Sequence, residues 1–193
     1  NGIDNFWIEH RQNKVLKNRK KITIITVGEI SDNKNQITVC KICDALEKEG
    51  YNIEYKIAGK ILNQNTYNSI IKKKYVKYEG FLSKEELIEK YRESNIFVLL
   101  SKRETFGLVY AEAMSQGLPI IYTRGEGFDK QFSEGVVGYS VDADNVKDAM
   151  KYIKLILEDY DRISYQASYS CLQFDWKKIE EEYSDLYAKV LYK

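Results

Sequence analysis

The segment Ile96-Phe-Val-Leu-Leu-Ser101-Lys-Arg-Glu104-Thr-Phe-Gly107-Leu-Val-Tyr-Ala-Glu112-Ala-Met-Ser-Gln-Gly117-Leu-Pro119 decides the fold. Its first five residues are apolar without alternation, which is typical of a strand covered on both faces. A polar turn with Gly107 then leads into a helical pattern that ends at Gly117. Another strand begins at Pro119. A strand, a turn, a helix and a strand in this order predict a parallel sheet with helices on its faces.

The same alternation continues outward along the chain. Short β-branched or aromatic runs predict strands at Ile22–Val27, Ile53–Ala58, Val76–Glu79, Ile96–Leu100, Pro119–Thr123 and Val137–Val141. Amphipathic stretches predict helices at Gln36–Glu49, Thr66–Lys74, Lys84–Glu93, Leu108–Gln116, Val146–Leu157, Ile163–Leu172 and Trp176–Leu191. Ser83 and Glu86 form a capping box before the third of these helices. We therefore expect an α/β, Rossmann-like, doubly wound parallel sheet followed by C-terminal helices, with ligands at the carboxyl ends of the strands.

Composition limits the classes of function. The 193 residues suffice for one α/β domain, and the formal net charge of +1 indicates no nucleic-acid partner. No apolar run approaches the roughly 20 residues of a membrane span. The cysteines Cys40, Cys43 and Cys171 are expected to be reduced packing residues in the cytoplasm. A single histidine, His10, offers little to histidine or zinc chemistry.

The turn before the fourth predicted helix carries the chemistry. A helix that begins near Gly107 leaves its first amides unpaired at the strand ends, which makes an anion site suited to a diphosphate. Glu104 precedes the helix and Glu112 lies about one turn inside it, so the two carboxylates can accept hydroxyls at different ends of one ligand. The spacing also allows structural roles: Glu104 as a charge at the helix start, and Glu112 as the buried partner of a lysine.

These residues resemble the E-x7-E motif of retaining GT-B glycosyltransferases, the large glycosyl transferases group 1 family that includes sucrose and mannosyl transferases. Further segments resemble that family in the same order: Asn1–Asp4 (interdomain linker), Val27–Ile30 with Lys34 and Asn35 (first strand and phosphate loop), Ile57–Lys60 (second strand end), Tyr78–Phe81 (base pocket), Ser94–Val98 (strand entering the motif) and Phe174–Trp176 (before the closing helix). The resemblance implies one half of a GT-B fold. Residues 1–193 would be one nucleotide-sugar-binding domain, with 1–20 as linker and lead-in, 174–193 as closing helix, and the N-terminal acceptor domain absent.

The resemblance also implies residue roles. Glu104 would bind hydroxyls of the donor sugar and Lys34 would neutralise the leaving diphosphate, which makes both catalytic candidates. Glu112 would bind the ribose hydroxyls. The further donor-binding candidates, several of them through backbone amides, are Gly28, Gly59, Phe81, Arg103, Phe106, Gly107 and Leu108. Residues 124–128 would lie near the donor sugar, and neither a metal nor a cofactor is expected.

One position departs from the family pattern. The family commonly has arginine directly after the glycine of the first loop, and this sequence has Glu29, which cannot bind phosphate. Either Lys34 and the helix amides suffice, or Arg103 or Lys60 compensates, or the site is weakened. Lys34 also has a second interpretation, as a solvated loop residue.

For the full-length protein, the resemblance implies retaining hexosyl transfer, with a UDP-sugar as the favoured donor and a growing polysaccharide or lipid-linked glycan as acceptor. This chain alone is expected to be inactive. The expected location is the cytoplasm. The basic run Lys72–Lys74 leaves a peripheral contact with the inner membrane surface open. Two alternatives remain: a degenerate nucleotide-binding regulatory module, which Glu29 favours, and another GT-B enzyme such as a sugar-nucleotide epimerase, whose histidine pattern does not appear.

Two D-x-D patterns, Asp142 with Asp144 and Asp159 with Asp161, formally match metal-dependent glycosyltransferases of another fold. We predict instead that Asp144 caps the helix that follows it. The second pair falls at a predicted helix junction.

Overall fold

The structure, a computed structural model, describes residues 1–191. Its strands are β1 (Lys21–Val27), β2 (Asn52–Ala58), β3 (Val76–Gly80), β4 (Ile96–Leu99), β5 (Ile120–Thr123) and β6 (Gly138–Val141). Its helices are α1 (Asn5–Glu9), α2 (Gln36–Lys48), α3 (Gln64–Ile70), α4 (Lys84–Glu93), α5 (Leu108–Ser115), α6 (Val146–Glu158), α7 (Tyr160–Ser170) and α8 (Trp176–Leu191). A short 3-10 helix over Cys171–Phe174 joins the last two.

The six strands form one parallel sheet in the order β3-β2-β1-β4-β5-β6. β1 pairs with β2 along its whole length and with β4 on its other side, starting at Ile24 opposite Ile96. The chain therefore winds outward in both directions from β1, and the strand order reverses between β1 and β4. This arrangement confirms the doubly wound sheet. The crevice where ligands bind to such sheets lies at the carboxyl ends of these two strands.

Successive residues of β1 point to opposite faces, and both faces are covered. Ile24 belongs to the apolar core under α2 and α6, and Ile25 to the core under α4, α5 and α7. Both side chains are completely buried. Truncating either to alanine would cost about 2–5 kcal/mol, because the packed neighbours on both faces cannot close the gap. The continuous apolar run of the strand is thus explained by its position at the centre of the sheet.

Several predicted boundaries were wrong. The helix predicted at Thr66–Lys74 begins at Gln64, because the Asn63 side chain caps it by accepting from the Thr66 amide at 3.0 Å, and it ends at Ile70. The helix predicted at Ile163–Leu172 spans Tyr160–Ser170.

Asp144 is not a helix cap. Asn145 caps α6 instead, by accepting from the Asp148 amide at 3.0 Å. The Asp144 carboxylate accepts from Asn35 and Thr38 at the start of α2. No local sequence pattern shows this contact between segments that are far apart in the chain. Because it engages the Asp144 carboxylate, the next residue, Asn145, caps the helix.

The segment predicted as linker and lead-in is partly helical. Asp4 caps α1 through the Phe6 amide at 2.9 Å, and Trp7 is buried against Tyr91. Ile3 forms a parallel bridge with Asp175, so the beginning of the chain packs beside the start of α8.

The predicted closing helix begins at Trp176, and residues 192 and 193 lie outside the described range. Among residues 1–191, no helix is long and apolar enough to cross a bilayer.

The three cysteines are free and buried, as the packing interpretation predicts. Burial raises the pKa of the Cys40 and Cys171 thiols to about 12 and that of Cys43 above its usual value. Thiols in such environments stay protonated and unreactive near neutral pH.

Candidate functional site

The carboxyl ends of β1, β2 and β3 enclose a cavity of about 330 Å³. Its lining residues are Val27, Gly28, Glu29, Ala58, Gly59, Lys60, Leu62, Phe81, Leu82 and Leu87. Three of the predicted donor-binding residues therefore lie together in one cavity. The walls are largely apolar with a few polar groups, which is typical of small-molecule sites and fits a flat heteroaromatic ring.

Close approach of two backbones explains the glycine at the end of β2. Gly59 has φ +146°, and a Cβ atom there would lie 2.1 Å from the Gly28 carbonyl oxygen. A Cβ on Gly28 would lie 3.6 Å from Cε of Lys34. The two glycines therefore bring the ends of β1 and β2 into contact and place the Lys34 side chain over the first loop.

The two predicted catalytic residues form an ion pair with each other. Lys34 Nζ lies 2.7 Å from Glu104 Oε2, and the side chains are only 18% and 11% exposed. The Ser101 hydroxyl donates to the same carboxylate oxygen at 3.2 Å. Lys34 follows β1 and Glu104 follows β4, so the reversal of strand order brings together two residues far apart in the sequence. A charged pair at this edge, shielded from solvent, can exchange partners with an anionic ligand.

Asn33, which the sequence analysis did not single out, ties the same two loops together. Its carbonyl accepts from the Lys102 amide at 2.8 Å, and its side chain exchanges hydrogen bonds with the Arg103 backbone at 3.0 and 3.1 Å. Arg103 is exposed, and its side chain makes no ion pair or hydrogen bond within the described chain. The structure therefore places Arg103 at the rim of the site and fixes its backbone alone.

The start of α5 presents open amides. Gly107 caps the helix with φ 76°, and a Cβ there would lie 2.5 Å from the Tyr110 ring and 3.3 Å from Cγ of Glu104. Among residues 1–191, none accepts a hydrogen bond from the amides of Phe106, Gly107 or Leu108. The Phe106 ring packs against Phe174, so this residue offers its amide to the site rather than its side chain. Unpaired amides at a helix N-terminus form an anion site.

Glu112 points from α5 toward α4. Burial is the largest influence and raises the pKa of its carboxyl to about 7; Asp4 acts in the same direction, whereas Tyr91 and Lys84 oppose it. The Tyr91 hydroxyl, itself buried, has no hydrogen bond of ordinary geometry to any described residue. Glu112 has no ion pair in the described part of the chain either. The structure therefore does not support the interpretation of Glu112 as the buried partner of a lysine.

Glu29 lines the cavity without a basic partner in the described chain. Its carboxylate accepts only from the Ser31 hydroxyl at 3.4 Å, and Lys60 instead lies over the Phe81 ring at 4.9 Å. Phe81 is 72% exposed, so its ring is available for stacking. Neither Lys60 nor Arg103 neutralises Glu29.

Glu126 is a further residue of the site; the resemblance pointed to its segment, residues 124–128, but not to this residue. Its carboxylate accepts from the Glu104 amide at 2.6 Å, in the segment predicted to lie near the donor sugar. The signal that could have found it is weak, since a glutamate between two glycines after a strand has many possible roles.

The D-x-D carboxylates do not converge on a metal site. Asp142 pairs with Arg124 at 3.1 Å, and Asp159 pairs with Arg162 at 2.5 Å. Within residues 1–191, no cluster of three or more potential metal ligands is present.

Several known proteins are similar to this chain in sequence or in fold. The sulfoquinovosyl transferase SQD2 of Arabidopsis thaliana is 27% identical over 168 residues, which cover 82% of this chain and 31% of that enzyme. The chain thus spans about a third of that relative's length. Anabaena HepE, solved in complex with UDP, superposes with a TM-score of 0.75 at 20% identity over 88% of this chain and 49% of that one. The C-terminal domain of a glycosyl transferase group 1 family protein, LpcC, from Francisella tularensis gives 0.71 at 18% identity, over 89% of this chain and 97% of that one.

These superpositions show that HepE and the LpcC domain share the fold of this chain. The family itself is shown by a sequence model described as "Glycosyl transferases group 1", which matches residues 8–170. The chain belongs to the glycosyl transferases group 1 family.

Proposed function

We propose that this chain is the donor-binding domain of a retaining GT-B hexosyltransferase and that it binds a nucleoside-diphosphate sugar. In this arrangement the cavity beside Phe81 takes the base, Glu112 the ribose, and Glu104 the hydroxyls of the sugar. Lys34 and the open amides at the start of α5 bind the diphosphate between them. The domain spans the chain, and the acceptor binds to residues outside it.

The observation that carries the proposal is the ion pair between Lys34 and Glu104 beside the start of α5. A cation and unpaired amides adjoin there, and both stabilise the charge that develops on a departing diphosphate. A diphosphate would replace Glu104 as the partner of Lys34 and leave the Glu104 carboxylate to accept sugar hydroxyls. A single exchange of partners would therefore make Lys34 available to the diphosphate and Glu104 available to the sugar.

The names of similar proteins support a UDP-sugar as the first donor to test. HepE has been solved with UDP and with UDP-glucose, and the pneumococcal O-GlcNAc transferase GtfA with UDP and GlcNAc. One relative carries a different donor in its name, the GDP-mannose-dependent mannosyltransferase of Komagataeibacter xylinus, so a guanine donor belongs in the same screen, with an adenine donor to complete the comparison of bases.

The test is a thermal-shift screen of this chain with UDP-glucose, GDP-glucose and ADP-glucose, and with the free diphosphates. A ligand at a hundredfold excess over its Kd stabilises the folded state by about 2.7 kcal/mol. For a chain of this size that corresponds to a rise in Tm of about 5–10 °C. No shift with any nucleotide or nucleotide sugar would overturn the proposal.

A transfer assay separates this proposal from its rivals. We expect binding without sustained transfer from this chain alone, and rapid transfer would show that the acceptor site is not outside it. A regulatory module with a degenerate site, which Glu29 favours, predicts instead that free diphosphates bind no better than nucleosides. Retention is tested in the full-length protein by the anomeric configuration of the product.

A further inference from the structure

The backbone of Glu104 is held from a segment between β5 and β6. Glu126 Oε2 accepts from the Glu104 amide at 2.6 Å, and the Gly127 amide donates to the Glu104 carbonyl at 2.9 Å. Two adjacent residues thus bind both peptide groups that flank one Cα atom. The direction in which the Glu104 side chain leaves the backbone is fixed by these two bonds.

The segment that carries Glu126 packs tightly against the segment that carries Glu104. A Cβ atom on Gly127 would lie 2.0 Å from the Thr105 carbonyl oxygen, so the backbones touch. The segment that carries Glu126 is braced in turn, because Asp129 accepts from the Gly125 amide at 2.8 Å and donates its own amide to the Glu126 carbonyl at 2.8 Å. Glu126 is therefore presented from a fixed turn.

The carboxylate of Glu104 is held by residues other than those that hold its backbone. Its carboxylate is bound by Lys34 and Ser101, whereas its amide has no acceptor in the described chain other than Glu126. If a ligand takes Lys34, the side chain of Glu104 keeps only the hydrogen bond from Ser101, and the two backbone bonds become its main hold. A hydrogen bond from an amide to a partly buried carboxylate is among the stronger ones in proteins.

We propose that Glu126 is a positioning residue for Glu104 at the sugar end of the site, an inference that rests on the proposed function. Glu126 acts through Glu104 and makes no contact with the ligand itself.

The first measurement is calorimetric titration of wild type, Glu126→Ala and Glu126→Gln with UDP-glucose and with UDP, or with GDP-glucose and GDP if the screen selects guanine. Glu126→Ala is expected to weaken binding of the nucleotide sugar about tenfold and to leave the diphosphate within about twofold, because only the sugar contacts Glu104. Glu126→Gln retains an acceptor oxygen, so it is expected to recover part of the loss.

Glu134→Ala is the matched control. Glu134 lies in the same connection between β5 and β6 and its carboxylate also accepts from a backbone amide, that of Ser140 at 3.1 Å. Glu134→Ala therefore removes the same charge, together with the hydrogen bonds from the Ser140 amide and hydroxyl, without touching Glu104. It is expected to leave the ratio of the two dissociation constants unchanged.

A double-mutant cycle with Glu104→Ala, which removes the acceptor group completely, separates positioning from direct contact. If Glu126 acts only through the Glu104 side chain, adding Glu126→Ala to Glu104→Ala causes no further loss of nucleotide-sugar affinity. In the ligand-free protein, the Glu104 amide proton should also lose hydrogen-exchange protection in Glu126→Ala and keep it in the control variant.

The outcomes are distinguishable. A wild-type chain that binds no nucleotide sugar overturns the proposed function and with it the role of Glu126. A wild-type chain that binds, with a Glu126→Ala variant that keeps the wild-type ratio of dissociation constants, overturns the positioning role alone. Additive losses in the double mutant would also overturn it, because they would mean that Glu126 contacts the sugar directly.

Discussion

Replacing Glu112 by glutamine should stabilise the chain at alkaline pH while weakening its binding of ribose-containing ligands. The carboxyl is partly buried without an ion pair among the described residues, and desolvation raises its pKa from 4.5 to about 7. In the unfolded chain the same carboxyl ionises near its usual pKa. Folding therefore costs more free energy as the pH rises from about 4.5 to 7, and the full cost is present above pH 7.

The magnitude follows from the two pKa values. At about 1.36 kcal/mol per pKa unit, a rise from 4.5 to about 7 corresponds to about 3 kcal/mol. Glu112→Gln removes the ionisation, so at pH 8 the variant should be more stable than wild type by roughly 2–3 kcal/mol. At pH 5 the difference should fall below about 1 kcal/mol, because the carboxyl is then protonated in the folded state.

Urea denaturation at pH 5 and pH 8 measures this difference, with the exposed Glu182→Gln on α8 as a control that should show none. Titration with uridine at the same pH values measures the ligand side. Binding to wild type should weaken toward pH 5 as the carboxylate is lost, and binding to Glu112→Gln should be weak and independent of pH. A variant that is destabilised at pH 8 and binds uridine normally would show that Glu112 is a structural residue and would refute this reasoning.

Three further variants test the rest of the site. Lys34→Ala should weaken UDP binding about ten- to a hundredfold by calorimetry and leave the affinity for uridine unchanged, because the lost charged hydrogen bond reaches only the diphosphate. Equal losses of UDP and uridine affinity would mean that Lys34 supports the loop instead. Glu104→Gln should spare uridine and UDP and weaken UDP-glucose by about 1–2 kcal/mol, and a loss of UDP binding would contradict the assignment to the sugar. Gly127→Ala should lower the free energy of unfolding, measured in urea, by about 1–3 kcal/mol, because its Cβ would lie 2.0 Å from the Thr105 carbonyl oxygen. An unchanged midpoint of the urea transition would show that the loops that carry Gly127 and Thr105 separate easily.

The sheet could be predicted from the sequence because its strands are apolar on both faces. All four residues of Ile96–Leu99 are buried, so this strand must be covered on both faces. In a chain of alternating strands and helices, a parallel sheet with helices on both faces meets that requirement. The glycine at the start of α5, Gly107, could likewise be predicted from local order, since a turn glycine before a helix has a direct physical meaning. The roles of Glu104 and Glu112 came instead from the family resemblance and stay predictions.

What the sequence could not provide are the contacts between segments that are distant along the chain. The short helix α1 was missed because five residues show no periodicity, and it is fixed by the burial of Trp7. The cap of α6 was misplaced because Asp144 and Asn145 are equally good caps locally, and a contact with Thr38 decides between them. The bond from Glu126 to the Glu104 amide depends in the same way on how β4 and β5 lie side by side.

The ion pair between Lys34 and Glu104 has a consequence for the speed of encounter. Because Lys34 and Glu104 neutralise each other, and Glu29 and Glu126 add negative charge nearby, the site offers little long-range attraction to a dianionic diphosphate. Electrostatic steering should then accelerate association little, and the association rate should depend little on ionic strength. Discrimination between ligands with and without a diphosphate would then lie in the dissociation rate, since in the proposed arrangement only a ligand that reaches both Lys34 and the start of α5 frees Glu104 to bind the sugar.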